Sequence, residues 1–125
     1  MYLMGFDYGS KKIGVAIGQT ITATASPLAI VSVKNKQIDW LNISSLVQEW
    51  QPNELVVGLP KNNDGSDSIM TIAAQRFSRQ LHGRYHLPVH TIDERLSSVA
   101  AAERTSGQLD AVAAQIILET WLNEF

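Results

Sequence analysis

The chain has 125 residues and a formal net charge of −2, and it contains no cysteine. Its length fits one domain with one core, and its composition is that of a globular protein. The lack of cysteine excludes disulfides, thiolate metal sites and a cysteine nucleophile. No apolar run approaches the roughly 18 residues of a membrane span and no secretory signal is visible, so we expect a cytoplasmic protein without a membrane partner.

The first part of the chain predicts three strands, over residues 2–7, 12–17 and 29–33. The second of these alternates in polarity, which is typical of a strand with one buried face. The links between the three segments are short, and this favours an antiparallel meander.

The rest of the chain alternates predicted helices and strands. Strands are expected over 54–59 and 87–92, and helices over 37–51, 68–82, 96–104 and 109–123. We expect the second helix to stop at Gly83, because glycine often ends helices. This order of elements predicts an α/β fold with a mixed sheet and strand–helix–strand crossovers.

Three acids lie where the predicted elements begin or end. Asp7 ends the first strand, Glu94 follows the last strand, and Asp110 opens the last helix. Ligands bind in the crevice at the carboxyl ends of the strands in open α/β sheets. Clustered carboxylates repel one another unless a counter-ion binds them, and Mg²⁺ or Mn²⁺ with oxygen ligands meets that need.

Each acid also has an ordinary explanation when taken alone. Asp7 is a suitable turn residue, and Asp110 suits the first turn of a helix, where the helix dipole favours a negative charge. Glu94 is similarly suited to a first turn that Asp93 caps. Only the combination of the three acids with the predicted topology favours a metal site.

Four segments of the chain resemble the YqgF family, in the family's order and over nearly the whole length: "FDYGSKKIGVAIG", "VVGLPKNNDGS", "DERLSS" and "LDAVAAQIILETWL". Members of this family are RNase H-like proteins described as Holliday junction resolvases and as nucleases of pre-16S rRNA. The resemblance implies a single RNase H-like nuclease domain over 1–125, with a five-stranded mixed sheet flanked by helices. It also implies that Asp7, Glu94 and Asp110 are the catalytic, metal-binding acids, with two ions clamping the scissile phosphate.

Five further residues are candidates for binding substrate. Lys11 and Lys12 follow Asp7, and Arg95 follows Glu94, so these cations are placed to contact phosphate. Asn62 and Asn63 lie in the loop after the strand predicted over 54–59. The alternative explanations are solvated surface charges for the lysines, pairing with an acid for Arg95, and ordinary turn residues for the asparagines.

Several functions remain open at this point. The first is a metal-dependent endonuclease of structured RNA, for which the resemblance implies the 5′ end of pre-16S rRNA. The second is a resolvase of four-way DNA junctions, which needs a two-fold dimer, whereas the sequence fits a monomer or a homodimer. The third is an ATPase, because the segment "DYGS" also resembles the phosphate-binding turn of actin-like and sugar-kinase ATPases. Those proteins need two related domains, and this chain is long enough for one. The fourth is a non-catalytic nucleic-acid-binding module.

The chain departs from the family before its last acid. Relatives usually carry a longer stretch there, often with Gly, Lys and Arg, whereas this chain has "VAAAERTSGQ". Either the substrate loop is truly shorter or part of it is missing from the chain, and we favour the second. A missing loop would stretch one Cα step between Ala101 and Asp110 beyond the usual 3.8 Å or so.

Overall fold

The computed structural model describes residues 1–96 and 110–124. One mixed sheet of six strands forms the centre of the fold, in the order β4-β3-β2-β1-β5-β6. The strands are β1 (Tyr2–Tyr8), β2 (Lys12–Gln19), β3 (Thr24–Lys34), β4 (Gln37–Ile38), β5 (Glu54–Leu59) and β6 (Val89–Asp93). The helices are α1 (Trp40–Trp50), α2 (Ile69–Tyr85) and α3 (Asp110–Glu124), and a 3₁₀ turn covers Glu94–Leu96.

The pairing of the strands confirms the predicted mixed sheet. The first four strands pair antiparallel in chain order, so the predicted meander is present. β5 then runs parallel to β1, and β6 runs parallel to β5. The carboxyl ends of β1, β5 and β6 therefore meet at one edge of the sheet, which we call the acid edge.

The prediction of five strands and of a helix starting at residue 37 was wrong. Asn35 and Lys36 both have positive φ angles, 52° and 63°, as a tight hairpin turn requires. This turn pairs Lys34 with Gln37 and so adds the short strand β4. α1 begins only after Asp39, whose carboxylate caps the helix by accepting a hydrogen bond from the Asn42 N–H at 3.3 Å.

The prediction that Gly83 ends the second helix was also wrong. α2 continues to Tyr85 and ends at His86, which has a left-handed φ of 55°. The Tyr85 hydroxyl lies 2.7 Å from the Ser44 hydroxyl of α1, and this contact holds the last turn against the neighbouring helix. One exposed glycine costs a helix only about 1 kcal/mol, which such packing can offset.

The helices cover the two faces of the sheet unequally. α1 and α2 pack on one face, the α1/α2 face, with large side chains such as Phe6, Val57 and Phe77. α3 packs on the other face, the α3 face, where aliphatic side chains such as that of Leu118 pack among alanines such as Ala16 and Ala113. Among the helices within the described ranges, none is long and apolar enough to cross a membrane.

Two predictions lie outside the described residues. The helix expected over 96–104 falls almost entirely in the interval 97–109, and the short stretch before Asp110 falls within it. Both stay predictions.

Candidate active site

Strand register places Asp7 between two glycines. Asp7 pairs with Gly14 on β2, and its neighbour Phe6 pairs with Val57 on β5. The next residue of β5 is Gly58, so Gly58 lies on the other side of Asp7. The middle of the acid edge is therefore an acid flanked by two residues without side chains.

Asp7 belongs to the face of the sheet that α3 covers. A Cβ added at Gly5 would lie 2.8 Å from the Leu118 Cβ of α3, whereas Phe6 lies in the core under α1 and α2. Side chains alternate between the faces of a strand, so Asp7 projects toward the same side as Gly5. Its side chain is partly buried there.

Asp110 lies close to Asp7 and Gly14 because α3 begins against β2. A Cβ at Gly14 would lie only 1.7 Å from the Asp110 carbonyl oxygen and 2.8 Å from the Ala111 nitrogen. The backbone of the first helical turn thus rests directly on the residue paired with Asp7. Any side chain at position 14 would push Asp110 away from the sheet.

Glu94 approaches Asp7 from the opposite side. Its Oε1 lies 2.9 Å from the place a Cβ would take at Gly58, and its Cγ lies 3.0 Å away. The Ile117 side chain of α3 contacts the same spot. The side chain of Glu94 therefore lies over Gly58, on the α3 face.

The structure thus brings the three acids to one edge and one face of the sheet, through Gly14 and Gly58. In the ranges that the structure describes, however, no three His, Asp or Glu side chains are gathered into a ready metal-binding group. The chemistry of the donors fits a hard divalent cation, because all three are carboxylates. Their role as metal ligands stays a prediction.

The loop between β5 and α2 is held in shape by its own polar groups. Lys61 and Asp67 form a bridge and an ion pair of 3.1 Å. The Asp64 carboxylate accepts hydrogen bonds from the Ser66 hydroxyl at 2.6 Å and the Ser66 N–H at 2.9 Å, and these hold the pKa of Asp64 below its usual range. The side-chain amide of Asn62 donates a hydrogen bond to the Ser66 hydroxyl and so helps to hold the loop conformation.

Arg95 connects this loop to the end of β6. Its guanidinium donates to both carboxylate oxygens of Asp93, with Nη2–Oδ2 at 2.6 Å and Nε–Oδ2 at 3.0 Å. This hydrogen bonding lowers the pKa of Asp93 and raises that of Arg95. Nη1 also donates to the Asn63 carbonyl at 3.3 Å, and Gly65, at φ 88°, lies beneath the guanidinium.

These contacts show pairing of Arg95 with an acid, which was the alternative to substrate binding. The Arg95 guanidinium positions the loop, and a role for it in contacting substrate stays a prediction.

Lys11 and Lys12 lie exposed at the turn between β1 and β2. The Lys11 carbonyl accepts a hydrogen bond from the Val33 N–H at 2.9 Å, which ties the turn to β3. Lys12 lies two residues before Gly14 on β2 and so shares its face. Neither ammonium group forms an ion pair with any residue in the described ranges. Substrate binding by these lysines, and by Asn62 and Asn63, stays a prediction.

Sequence reasoning missed two features of the site. Gly14 and Gly58 give the close approach of Asp110 and Glu94. Their signal was small residues alternating with large apolar ones along β2, and a single glycine within the apolar run of β5. The contact of Arg95 with the Asn63 carbonyl has no comparable signal, because it depends on the loop conformation.

Comparison with known proteins identifies the family. The family model described as "RuvX: Holliday junction resolvase" matches residues 1–124. A protein of Hydrogenovibrio crunogenus named "Putative pre-16S rRNA nuclease" is 51% identical over 124 residues, covering 97% of this chain and 92% of the relative. One of the same name from Azotobacter vinelandii is 48% identical over 132 residues, covering 98% and 93%.

Solved structures confirm the RNase H-like fold. RuvC of T. thermophilus in complex with a Holliday junction substrate superposes with a TM-score of 0.64 at 14% identity, covering 99% of this chain and 95% of that one. The fowlpox virus Holliday junction resolvase gives a TM-score of 0.54 at 13% identity, covering 99% and 98%. The family model and the two relatives confirm the resemblance to the YqgF family, and the chain belongs to this family, which the model describes as RuvX.

Proposed function

We propose that this protein is a metal-dependent endonuclease that hydrolyses phosphodiester bonds in structured RNA, in the cytoplasm, with the 5′ end of pre-16S rRNA as its substrate. The names of the two relatives support this substrate. The observation that carries the proposal is the arrangement of Asp7, Asp110 and Glu94 around the glycines of the acid edge.

The three carboxylates would hold one or two Mg²⁺ or Mn²⁺ ions. Held by these carboxylates, the ions would supply polarisation of the scissile phosphate and a bound water of lowered pKa. Neighbouring carboxylates repel one another, so a bound cation would stabilise the arrangement.

The protein's own groups would orient the substrate. Gly14 and Gly58 let Asp110 and Glu94 lie close to the strands on either side of Asp7, and this placement would turn the three acids toward one phosphate. The exposed ammonium groups of Lys11 and Lys12 lie at the adjoining turn and would contact the phosphates beside the cleaved bond. The loop held by Arg95 would present Asn62 and Asn63 from the other side.

A second candidate is the resolution of four-way DNA junctions, which the description of the matching family favours. This activity needs two active sites on opposed strands, and hence a two-fold dimer. The protein is a monomer or a homodimer in our proposal, and only the resolvase requires the homodimer, so a monomer in solution would exclude the alternative.

The test compares two substrates under identical conditions. Purified protein is incubated with an RNA that carries the 5′ end of pre-16S rRNA, or with a four-way DNA junction, in Mg²⁺ or in EDTA. We expect cleavage of the RNA at a defined position in Mg²⁺ only, and an intact junction. Paired cuts in the junction with intact RNA would instead establish the resolvase. No cleavage of either substrate, together with binding, would indicate the non-catalytic module.

A further inference from the structure

A groove on the α1/α2 face opens beside the acid edge and has no role in the proposed catalysis. It lies between α2 and the turns that follow β1 and β3, and its volume is about 370 Å³. This is within the range of roughly 300–1,000 Å³ typical of small-molecule sites. We call it the α2 groove, and its lining includes Tyr8, Ser10, Lys36, Ile69, Ile72 and Arg76.

The lining of the α2 groove is largely apolar yet open to solvent. Val33, Ile38 and Met70 contribute to it, and two isoleucines of α2 are strongly exposed, Ile69 at 86% and Ile72 at 53%. These side chains give the groove an apolar floor and rim against which the flat, apolar part of a ligand can pack.

Two cations stand at the α2 groove without internal partners. Among residues 1–96 and 110–124, Lys36 and Arg76 form neither an ion pair nor a side-chain hydrogen bond. Lys36 has a φ of 63° in the two-residue turn before β4, so a tight turn fixes the position of its backbone. Within the described part of the chain, no acidic residue lines the α2 groove. The groove therefore favours a partner that combines negative charge with an apolar face.

The position of the α2 groove relates it to the candidate active site. Tyr8 directly follows Asp7 on β1, and neighbouring residues of a strand project to opposite faces. Tyr8 accordingly lines the α2 groove while Asp7 projects to the α3 face. Ser10, in the turn after β1, also lines the groove. An extended ligand that crosses the turn after β1 can therefore lie in the α2 groove and reach Asp7 at the acid edge at the same time.

We propose that the α2 groove binds a single-stranded nucleic-acid segment that flanks the cleaved phosphodiester bond, an inference that rests on the proposed function. Lys36 and Arg76 contact its phosphates, and a base lies against the apolar floor beside Tyr8. An acidic peptide with an apolar face has similar chemistry. The continuity of the groove with the strand that carries Asp7 favours the nucleic acid.

The experiment measures binding without cleavage. A fluorescent RNA hairpin with a single-stranded flank, and the same hairpin with a blunt end, are titrated with protein in EDTA at several salt concentrations. The test variant is Lys36→Gln/Arg76→Gln. The matched control is Lys34→Gln/Arg79→Gln. It removes one lysine charge from the same hairpin and one arginine charge from the same helix, at exposed positions outside the α2 groove.

We expect the test variant to bind the flanked hairpin about ten-fold more weakly. Its salt slope should fall by about 1.4, which is about 0.7 for each of the two phosphates that the variant leaves without a cation. Its affinity for the blunt hairpin and both affinities of the control should stay within about two-fold of native values. A 4-thiouridine placed in the flank should crosslink to peptides that contain Tyr8 or Met70.

Three outcomes would overturn the proposal. Equal decreases in affinity for the test and control variants would show a general effect of charge. Unchanged binding by the test variant would leave the acidic peptide as the occupant of the groove. Crosslinks confined to the α3 face would place the flank elsewhere. Failure of the native protein to bind or cleave any RNA is a separate result, because it would contradict the proposed function itself.

Discussion

The two faces of the sheet pack against their helices in different ways. On the α1/α2 face the rings of Phe6 and Phe77 meet edge to face at 5.5 Å, and Trp40 stacks on Phe77 at 5.7 Å. On the α3 face, Gly14 and Gly58 leave space that the backbone of α3 and the side chain of Glu94 fill.

This difference separates stability from chemistry. Large buried rings such as those of Phe6 and Phe77 contribute strongly to the free energy of folding, and a phenylalanine ring needs no polar neighbour. The glycines bury little apolar surface, but they let a helix start and an acid come within contact distance of the strands. We therefore expect substitutions on the first face to change stability, and substitutions at the acids of the second face to change cleavage.

The largest expected effect on stability comes from Phe77→Ala on the α1/α2 face. Phe77 is fully buried, and removal of such a ring costs about 3–5 kcal/mol. The free energy of unfolding, measured in urea, should fall by this amount. Because a change this large can unfold the chain altogether, Phe77→Leu gives a milder measurement. A decrease below about 1 kcal/mol in the alanine variant would contradict the importance of this layer.

Gly14→Ala should disturb the packing of α3 on the sheet and so reduce both stability and cleavage. The new Cβ would meet the Asp110 carbonyl oxygen, and a helix backbone cannot yield as a side-chain end can. We expect stability to fall by about 3 kcal/mol and cleavage to be abolished. Gly83→Ala is the matched control, because a Cβ there meets no described atom within 4 Å. That variant should gain about 0.5–1 kcal/mol. Equal effects of the two substitutions would contradict the close approach of α3.

Asp7→Asn should reduce cleavage without reducing stability. The substitution keeps the shape of the side chain and removes one charge, so metal capture weakens and cleavage should fall by more than about 100-fold. Stability without metal should hold or rise, because repulsion among the carboxylates decreases. RNA cleavage rates and urea unfolding measure the two effects, with Glu49→Gln on α1 as a control. Loss of cooperative unfolding would show a structural role, and undiminished cleavage would show that Asp7 is not a ligand.

The smallest expected effect concerns the pKa of Asp64 in the loop between β5 and α2. Hydrogen bonds from Ser66 lower the pKa of Asp64, so they stabilise the loop above the ordinary pKa of aspartate, near about 4. That stabilisation is lost as the pH falls through the lowered pKa. In Ser66→Ala, the pKa of Asp64 should return toward the ordinary range, as a carboxyl ¹³C titration by NMR would show. An unchanged pKa would mean that other groups lower it.

The elements with strong local signals could be predicted from the sequence. β5 was predicted at its observed bounds, because its residues are apolar on both faces and Pro60 follows them. The last helix was predicted within one residue at each end. β4 was missed because the left-handed turn at Asn35 and Lys36 has no glycine to mark it. Gly83 misled the prediction because contacts of Tyr85 with α1 extend the helix.

The candidate site could be predicted in part. The strand ends and the helix start indicated Asp7, Glu94 and Asp110, and the family resemblance then implied their role. The distances among backbone and side-chain atoms at Gly14 and Gly58 depend on how α3 packs, and no local pattern determines that. The pairing of Arg95 with Asp93 and the Asn63 carbonyl likewise follows from tertiary structure.

The location of a bound cation tests the central claim most directly. Mn²⁺ is paramagnetic and broadens the NMR signals of nearby amides, so substoichiometric Mn²⁺ added to ¹⁵N-labelled protein reports where it binds. We predict selective broadening at Asp7, Gly14 and Gly58, with Gly83 and Leu122 unaffected, and loss of the effect in Asp7→Asn. Broadening centred on the loop around Asp64, or no selective broadening at the two glycines, would contradict a metal site at the acid edge.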